Sequence, residues 1–168
     1  MRVDVYRWLI VPVCSLALAL LGAAGPLIVA TPSVVVYPLI PNGTGLGTDA
    51  GPRIAITIAT QISQLGGVEV KPAPPGIEQR DFLIQARQLG VDFYVTGYVT
   101  PLGGEASVVE QLVSAKSGAI VWSNTAQLST YGDAVGQASL IRTAILSYAA
   151  RAVASLQPVG PTPPPAAR

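Results

Sequence analysis

The glycine-rich loop at residues 42–51 contains the spacing that comes nearest to a chemical motif in this chain. Gly45, Gly47 and Ala50 follow the pattern G-x-G-x-x-A, and Glu69 lies further along the chain. In dinucleotide-binding proteins such a turn delivers the pyrophosphate to the amino end of a helix, and an acidic residue about 20 positions later binds the ribose. The pattern therefore raises the question of nucleotide binding.

The prolines around this loop argue against that chemistry. In a dinucleotide-binding unit the first glycine follows the strand almost directly, whereas Pro38 and Pro41 intervene here. Pro52 then removes an amide from the first helical turn, where a phosphate would need it. We interpret the loop as a flexible cap of the next helix, and keep a small-molecule or nucleotide sensor as the alternative function. The loop residues for that alternative are Asn42, Gly43, Gly45 and Gly47.

The ionisable side chains of this sequence do not form a catalytic set. The chain contains no histidine, which excludes Ser-His-Asp and Cys-His nucleophiles and imidazole metal ligands. Glu78, Arg80 and Asp81 stand together at the start of a predicted helix, where acidic residues interact favourably with the helix dipole. Asp92 lies alone before a strand and is interpreted as a cap or a hydrogen-bond acceptor. The sequence therefore predicts no enzyme, no cofactor and no metal site.

The strand within LGVDFYVTGYVT, residues 89–100, carries the candidate interaction surface. Side chains alternate between the two faces of a strand, so Phe93 and Val95 lie on one face and Tyr94, Thr96 and Tyr98 on the other. Tyrosine is enriched where proteins meet. Two readings stay open for the tyrosine face: it binds a partner, or the C-terminal helix covers it, with Tyr148 among the covering residues.

Hydrophobic periodicity predicts the elements that position these residues. The predicted strands lie at 32–40, 68–70, 91–100, 105–115 and 119–128, and the predicted helices at 53–65, 77–90 and 132–156. The order is β-α-β-α-β-β-β-α, an α/β fold with a mixed sheet whose last three strands form an antiparallel meander. Helices on one face of that sheet would leave the other face partly open.

Apolar side chains at helical and strand spacing give the predicted core. In the first helix they are Ile54, Ile58, Ile62 and Leu65, in the second Ile77, Phe82 or Leu83, Ala86 and Leu89, and in the last Ala138, Ile141, Ile145, Tyr148, Ala152 and Leu156. From the strands we expect Phe93, Val95 and Val99 to be buried, and Trp122 to be largely buried.

Composition and the start of the chain predict its compartment. The 168 residues carry a formal net charge of +1 with scattered basic side chains, which does not favour nucleic-acid binding. Residues 8–30 contain no charged side chain and follow Arg2 and Arg7. This is typical of a secretory signal peptide, and an uncleaved membrane anchor is the alternative. Both readings place the rest of the chain outside the cytoplasm.

Three separated segments resemble a known family. They are VVVYPL at 34–39, ARQLGVDFYVTGYV at 86–99 and VVEQLVSAKSGAIVWS at 108–123. Together they resemble the amino-terminal domain of TolB and TolB-like domains over roughly residues 33–155. Within the third segment, Gln111, Leu112, Gly118, Trp122 and Ser123 fit the hairpin of that family, whereas Ser114 stands where an aspartate is usual.

The resemblance implies an anticodon-binding-like fold and a non-enzymatic docking or assembly role in the cell envelope. With the charge-free start and the proline-rich end, the predicted division is a signal peptide or anchor at 1–30, a TolB N-terminal-like domain at 31–156 and a proline-rich disordered tail at 157–168. The expected location is the periplasm, free or anchored in the inner membrane. The expected partners are envelope proteins or a second copy, with membrane contact through residues 8–30 as a further expectation.

Overall fold

The computed structural model describes residues 30–43, 47 and 49–155. Apart from Ala30, the predicted signal peptide or anchor lies outside the described residues, as do Gly45 and the tail at 157–168. None of the helices that the structure describes is long and apolar enough to cross a membrane. The three-part division of the chain therefore stays a prediction.

The described elements follow the predicted order, except that the first strand is divided in two. They are β1 (Ser33–Val36), β2 (Ile40–Pro41), α1 (Ala50–Leu65), β3 (Glu69–Lys71), α2 (Phe82–Gln88), β4 (Phe93–Leu102), β5 (Glu105–Ser114), β6 (Ile120–Leu128) and α3 (Ala134–Ser155). Short 3₁₀ turns, Gln79–Asp81 and Tyr131–Asp133, precede α2 and α3.

One mixed sheet joins these strands in the order β3-β1-β4-β5-β6. β1 pairs in parallel with both β3 and β4, and β2 also pairs in parallel with β4. β4, β5 and β6 form the predicted antiparallel meander. The α/β fold with a mixed sheet is therefore confirmed.

The first strand is interrupted at its proline. Tyr37 still donates its amide to the carbonyl oxygen of Val95 at 3.0 Å. Pro38 has no amide to donate, and the chain leaves the ladder until Ile40 pairs with Tyr98. The prediction of one continuous strand at 32–40 was therefore wrong, because Pro38 within the apolar run removes a donor and separates β1 from β2.

The helices lie on both faces of the sheet, which corrects the prediction that they share one face. The chain moves outward from β1 to the edge strand β3 through α1, and then returns past β1 to β4 through α2. Right-handed crossovers that run in opposite directions place their helices on opposite faces. α1 and α3 accordingly share one face, and α2 packs on the other.

The main core lies between the sheet and the pair α1 and α3. Its fully buried members include Ile58 of α1, Ile141 of α3 and Val95 and Val99 of β4, and Phe93 is 5% exposed. These are the residues that the periodicity predicted. Trp122 is only partly buried and packs at the edge of this core.

Two predicted helical stripes extend further than the core does. Leu65 ends α1 with 47% of its surface exposed, and Tyr148 and Ala152 are exposed near the end of α3. Periodicity gives the direction of a side chain but does not show whether a neighbour lies in that direction. The burial predicted for Leu65 and Ala152 was therefore wrong, Tyr148 reaches the core only by its ring contact with Phe93, and Leu156 lies outside the described residues.

A smaller, aromatic core lies on the other face. The rings of Tyr37 and Phe82 stack with their centroids 4.2 Å apart, and the ring of Tyr94 meets Tyr37 edge-on at 5.7 Å. Ala86 of α2 is fully buried beside them. Phe82 and Ala86 thus confirm the predicted inward face of the second helix, although regular α-helix begins only at Phe82.

A matched pair of isoleucines in α1 tests the position of the main core. Ile58→Ala should lower the free energy of unfolding by about 2–5 kcal/mol, since Ile58 is fully buried. Ile56→Ala, in the same helix but 65% exposed, should change it by about 0.5 kcal/mol or less. Urea denaturation of both variants gives the two values, and equal losses would contradict the assignment of the buried face.

Candidate functional site

The predicted interaction surface on β4 divides into a covered part and an accessible part. Tyr94 is 9% exposed and Thr96 8%, whereas Tyr98 is 37% exposed. Tyr94 lies in the aromatic core with Phe82 of α2. Burial raises the pKa of Tyr94, although the nearby Arg87 guanidinium acts in the opposite direction, and the phenol stays neutral. Only Tyr98 therefore presents its ring to a partner.

The C-terminal helix does not cover this face, which corrects one of the two readings of the sequence. Tyr148 of α3 meets Phe93 edge-on, with the ring centroids 5.7 Å apart. Phe93 belongs to the main core, on the side of the sheet opposite Tyr94. The covering element is α2, which lies over the start of β4.

Tyr98 is held in a defined position on the exposed part of the sheet. The amide of Gln79, in the 3₁₀ turn before α2, donates to the Tyr98 hydroxyl at 3.0 Å. The cross-strand partner of Tyr98 on β5 is Val109, and the partner of Val109 on β6 is Thr125. Tyr98 therefore stands at the border between the covered and the accessible sheet.

The accessible sheet around Tyr98 is mostly polar. The register of β4, β5 and β6 places its side chains on one face, and the acid on this face, Glu105, lies beyond Ser107 at the hairpin end of β5. We call this surface the open face, and it consists of Tyr98, Thr100, Ser107, Val109, Gln111, Ser123, Thr125 and Gln127. Hydroxyl and amide groups beside one aromatic ring can form directional hydrogen bonds with a partner.

The glycine-rich loop is described only in part. Asn42 is exposed. Its backbone amide donates to the Val99 carbonyl oxygen at 2.8 Å, which attaches the start of the loop to β4. Gly43 has a φ of +106°, and the carbonyl oxygen of Gly47 accepts from the Ala50 amide at 3.0 Å. These contacts fit a loop that leads into a helix. Ligand binding by this loop stays a prediction.

Two other groups singled out in the sequence have structural partners. Asp92 Oδ2 accepts hydrogen bonds from the amide and the hydroxyl of Ser33, both at 2.8 Å, and so joins the starts of β1 and β4. On the surface, Arg80 forms ion pairs through Nη2 with Glu78 Oε2 at 3.0 Å and through Nε with Asp81 Oδ2 at 3.8 Å. Within the described ranges, no group of three or more Cys, Asp or Glu side chains could hold a metal ion.

Glu110 is a buried ionisable residue that the sequence reasoning missed. It lies on β5 between Val108 and Leu112 on the face of the main core, and it is fully buried. Apolar side chains lie two residues before it and two residues after it. This alternation could have predicted its burial from the sequence. Gly97 lies opposite, and a Cβ there would collide with the Val109 carbonyl oxygen. The glycine within β4 therefore permits β5 to approach closely.

The surroundings of Glu110 are polar but provide it with no hydrogen bond. Asn124, its partner on β6, donates its side-chain amide to Gln137 Oε1 of α3 at 2.8 Å. Neither carboxyl oxygen of Glu110 has a hydrogen-bond partner among the described residues. Burial raises the pKa of Glu110 to about 7, and the nearby Asn124 side chain acts in the opposite direction. Glu110 therefore titrates near neutral pH inside the core.

This pKa predicts a pH-dependent stability. The carboxyl ionises near its ordinary value of 4.5 in the unfolded chain but only near 7 in the folded chain. The free energy of unfolding is therefore highest below pH 4.5, where the protonated carboxyl favours the folded chain. It falls as the pH rises, and this stabilisation is lost above about pH 7. Glu110→Gln should remove this fall and raise the free energy of unfolding above pH 7 by about 3 kcal/mol relative to the native chain.

Denaturant titrations between pH 4 and 8 measure the effect, and Glu105→Gln on the exposed end of the same strand is the control. Parallel pH profiles for the native chain and Glu110→Gln would contradict the burial of an unpartnered carboxyl group.

Comparison with solved structures defines the fold more closely. The PelC dodecamer from Paraburkholderia phytofirmans matches with a TM-score of 0.52 and 20% identity, over 70% of this chain and 89% of the PelC chain. The LpoB C-terminal domain from Escherichia coli matches with a TM-score of 0.51 and 16% identity, over 69% of this chain and 94% of that domain.

TolB from Acinetobacter baumannii also matches, with a TM-score of 0.45 and 14% identity, over 73% of this chain and 29% of TolB. Neither a protein-family model nor a curated protein sequence matches this chain. The chain has the mixed α/β fold of PelC and the LpoB C-terminal domain, which confirms the TolB-like fold that the sequence resemblance implied.

Proposed function

We propose that this chain is an exported, non-enzymatic domain of the cell envelope that docks another protein through the open face around Tyr98. The observation that carries the proposal is the position of Tyr98. Its ring is accessible and its hydroxyl is fixed by Gln79 at 3.0 Å, on a sheet surface whose acidic strand residue, Glu105, lies apart from it at the hairpin end of β5. A held aromatic ring loses little conformational freedom when a partner packs on it.

The composition of the open face fits protein docking better than it fits a solvated surface. Monomer surfaces are generally rich in charged side chains, whereas protein interfaces are depleted of them and enriched in tyrosine. On the open face Thr125, Gln127 and Ser123 supply hydrogen-bonding groups around Tyr98. Such groups form the polar rim that surrounds an aromatic contact in many interfaces.

The partners of the acidic side chains support a non-enzymatic role. Asp92 is engaged by Ser33, Asp133 accepts amides of the turn before α3, and the acids near Arg80 form surface ion pairs. Glu110 has a pKa suited to proton transfer, but it is fully buried away from any substrate. A general base must reach the proton that it removes, and Glu110 does not meet that condition.

The envelope location rests on the sequence before the domain and on the resemblance. Residues 8–30 carry no charge and follow two arginines, the pattern of an export signal or an anchor. PelC, whose fold this chain shares, was crystallised as a dodecamer. Association with other protein chains is therefore known for one protein of this fold, and it supports a docking role here.

Export is tested by reporter fusion. An alkaline phosphatase that folds only outside the cytoplasm, fused after Leu156, should be active because residues 8–30 direct the chain across the membrane. A matched fusion that carries Leu18→Arg and Leu20→Arg within the apolar stretch should be inactive. Equal activity of the two fusions, or activity of neither, would contradict an export function for this stretch.

The two tyrosines of β4 separate docking from packing. A photo-crosslinking residue in place of Thr100 should capture a partner of defined mass in cells, and Tyr98→Ser should abolish that capture with little change in melting temperature. Tyr94→Ser should lower the free energy of unfolding by about 2–4 kcal/mol, because it removes a buried ring. A crosslinker at Ile56, on the opposite side of the sheet, is the control. Undiminished capture in Tyr98→Ser would refute docking through this ring.

A further inference from the structure

The outer edge of β6 is an unprotected strand edge. β6 is the last strand of the sheet, and no strand in the described part of the chain pairs with its outer side. A bulge at Val121 interrupts its register with β5, and the seven residues Trp122–Leu128 continue regularly from there. None of these seven residues is charged or proline. Charge and proline are common means of blocking edge pairing, so this edge is left able to accept another strand.

The opposite edge of the sheet shows the protection that β6 lacks. β3 is three residues long, Glu69–Lys71, and it begins and ends with a charged side chain. Pro72 follows directly, and Pro74 and Pro75 come soon after. Short length, charge and proline each disfavour edge-to-edge pairing. Of the two edges, the outer edge of β6 is therefore the one able to accept a strand.

A groove with apolar walls runs beside β6. It lies between the strand and α3 and is lined by Val121 and Trp122 of β6 and by Leu140, Ala144 and Tyr148 of α3. Leu140 is 49% exposed and Tyr148 37%. A strand that pairs with β6 would bring its own flanking side chains against this groove. Burial of that apolar surface would add to the hydrogen bonds of the new ladder.

Charged groups of opposite sign stand at the two ends of β6. Lys116 lies in the turn before the strand, and Arg151 lines the groove beside Trp122. At the other end, the Ser129 hydroxyl donates to Glu105 at 3.0 Å, and Asp133 accepts the Ser129 amide at 2.8 Å. β6 therefore runs from a basic end to an acidic end.

We propose that two copies of this chain associate through β6, antiparallel and centred on Asn124, to form one continuous sheet. An antiparallel pair places the basic end of each strand beside the acidic end of the other, whereas a parallel pair would place like charges together. The arrangement is isologous, so it closes as a dimer. This interface is separate from Tyr98, and it stands whether or not Tyr98 docks a partner.

The register about Asn124 is self-complementary on both faces of the strand. On the helix side, Trp122 lies opposite Ala126 of the second copy, which combines a large side chain with a small one. On the other side, Ser123 lies opposite Thr125 of the second copy, and their hydroxyl groups can bond across the strands. The two open faces become adjacent in the dimer, which gives a docking surface with two copies of each contact.

A charge exchange across the pair Ser123 and Thr125 tests both the partner and the register. The full chain is purified in mild detergent, and its protein mass is measured by sedimentation. The native chain should be dimeric. The double variant Ser123→Lys, Thr125→Lys and the double variant Ser123→Asp, Thr125→Asp should each have a dimer dissociation constant at least about tenfold higher, because like charges lie opposite each other. An equal mixture of the two variants should be dimeric again.

Restoration in the mixture shows that both variants fold, and far-UV circular dichroism checks this independently. Glu69→Lys, which adds the same charge to the opposite edge strand, should leave the dimer unchanged. A monomeric native chain, dimers that persist in either double variant, or a mixture that stays monomeric would each overturn the proposal. None of these results would bear on capture through Tyr98, which is measured with Ser123 and Thr125 intact.

Discussion

Burial of β4 from both sides is the constraint on which the rest of the structure depends. The strand supplies Phe93, Val95 and Val99 to the core beneath α1 and α3, and Tyr94 to the core beneath α2. β4 has ten residues and runs for about 33 Å, whereas the seven residues of α2 span only about 10 Å. The helix therefore covers one end of the strand, and Tyr98 lies beyond its reach.

The order of the elements and the alternation of β4 could be predicted from sequence because both depend on local periodicity. Strand order could not, since nothing in the apolar run of β1 shows that it lies between β3 and β4. Without the strand order, all the helices were predicted on one face, and the reading in which Tyr148 covers the Tyr94 face stayed open. Leu65 was wrongly predicted to be buried for a related reason, because helical spacing does not show where the core ends.

The candidate site shows the same limit at the level of single residues. Tyr94 and Tyr98 are equivalent in the sequence, with the same residue type, strand and face, yet only Tyr98 is accessible. Their difference arises from the length of α2 and the hydrogen bond from Gln79, which is distant in sequence. Glu110 was overlooked because an acidic residue in a strand is ordinarily assigned to solvent, although its apolar neighbours at alternate positions indicated burial.

The most direct test of the docking account is tyrosine footprinting of the chain in intact cells and after purification. Tyr98 and Tyr148 are both 37% exposed within one copy of the chain, and Tyr148 lies in the groove beside β6, away from the open face. The account predicts that Tyr98 is protected in cells relative to the purified chain, while the labelling of Tyr148 is the same in both. Equal labelling of Tyr98 in the two preparations would contradict a docked partner on the open face.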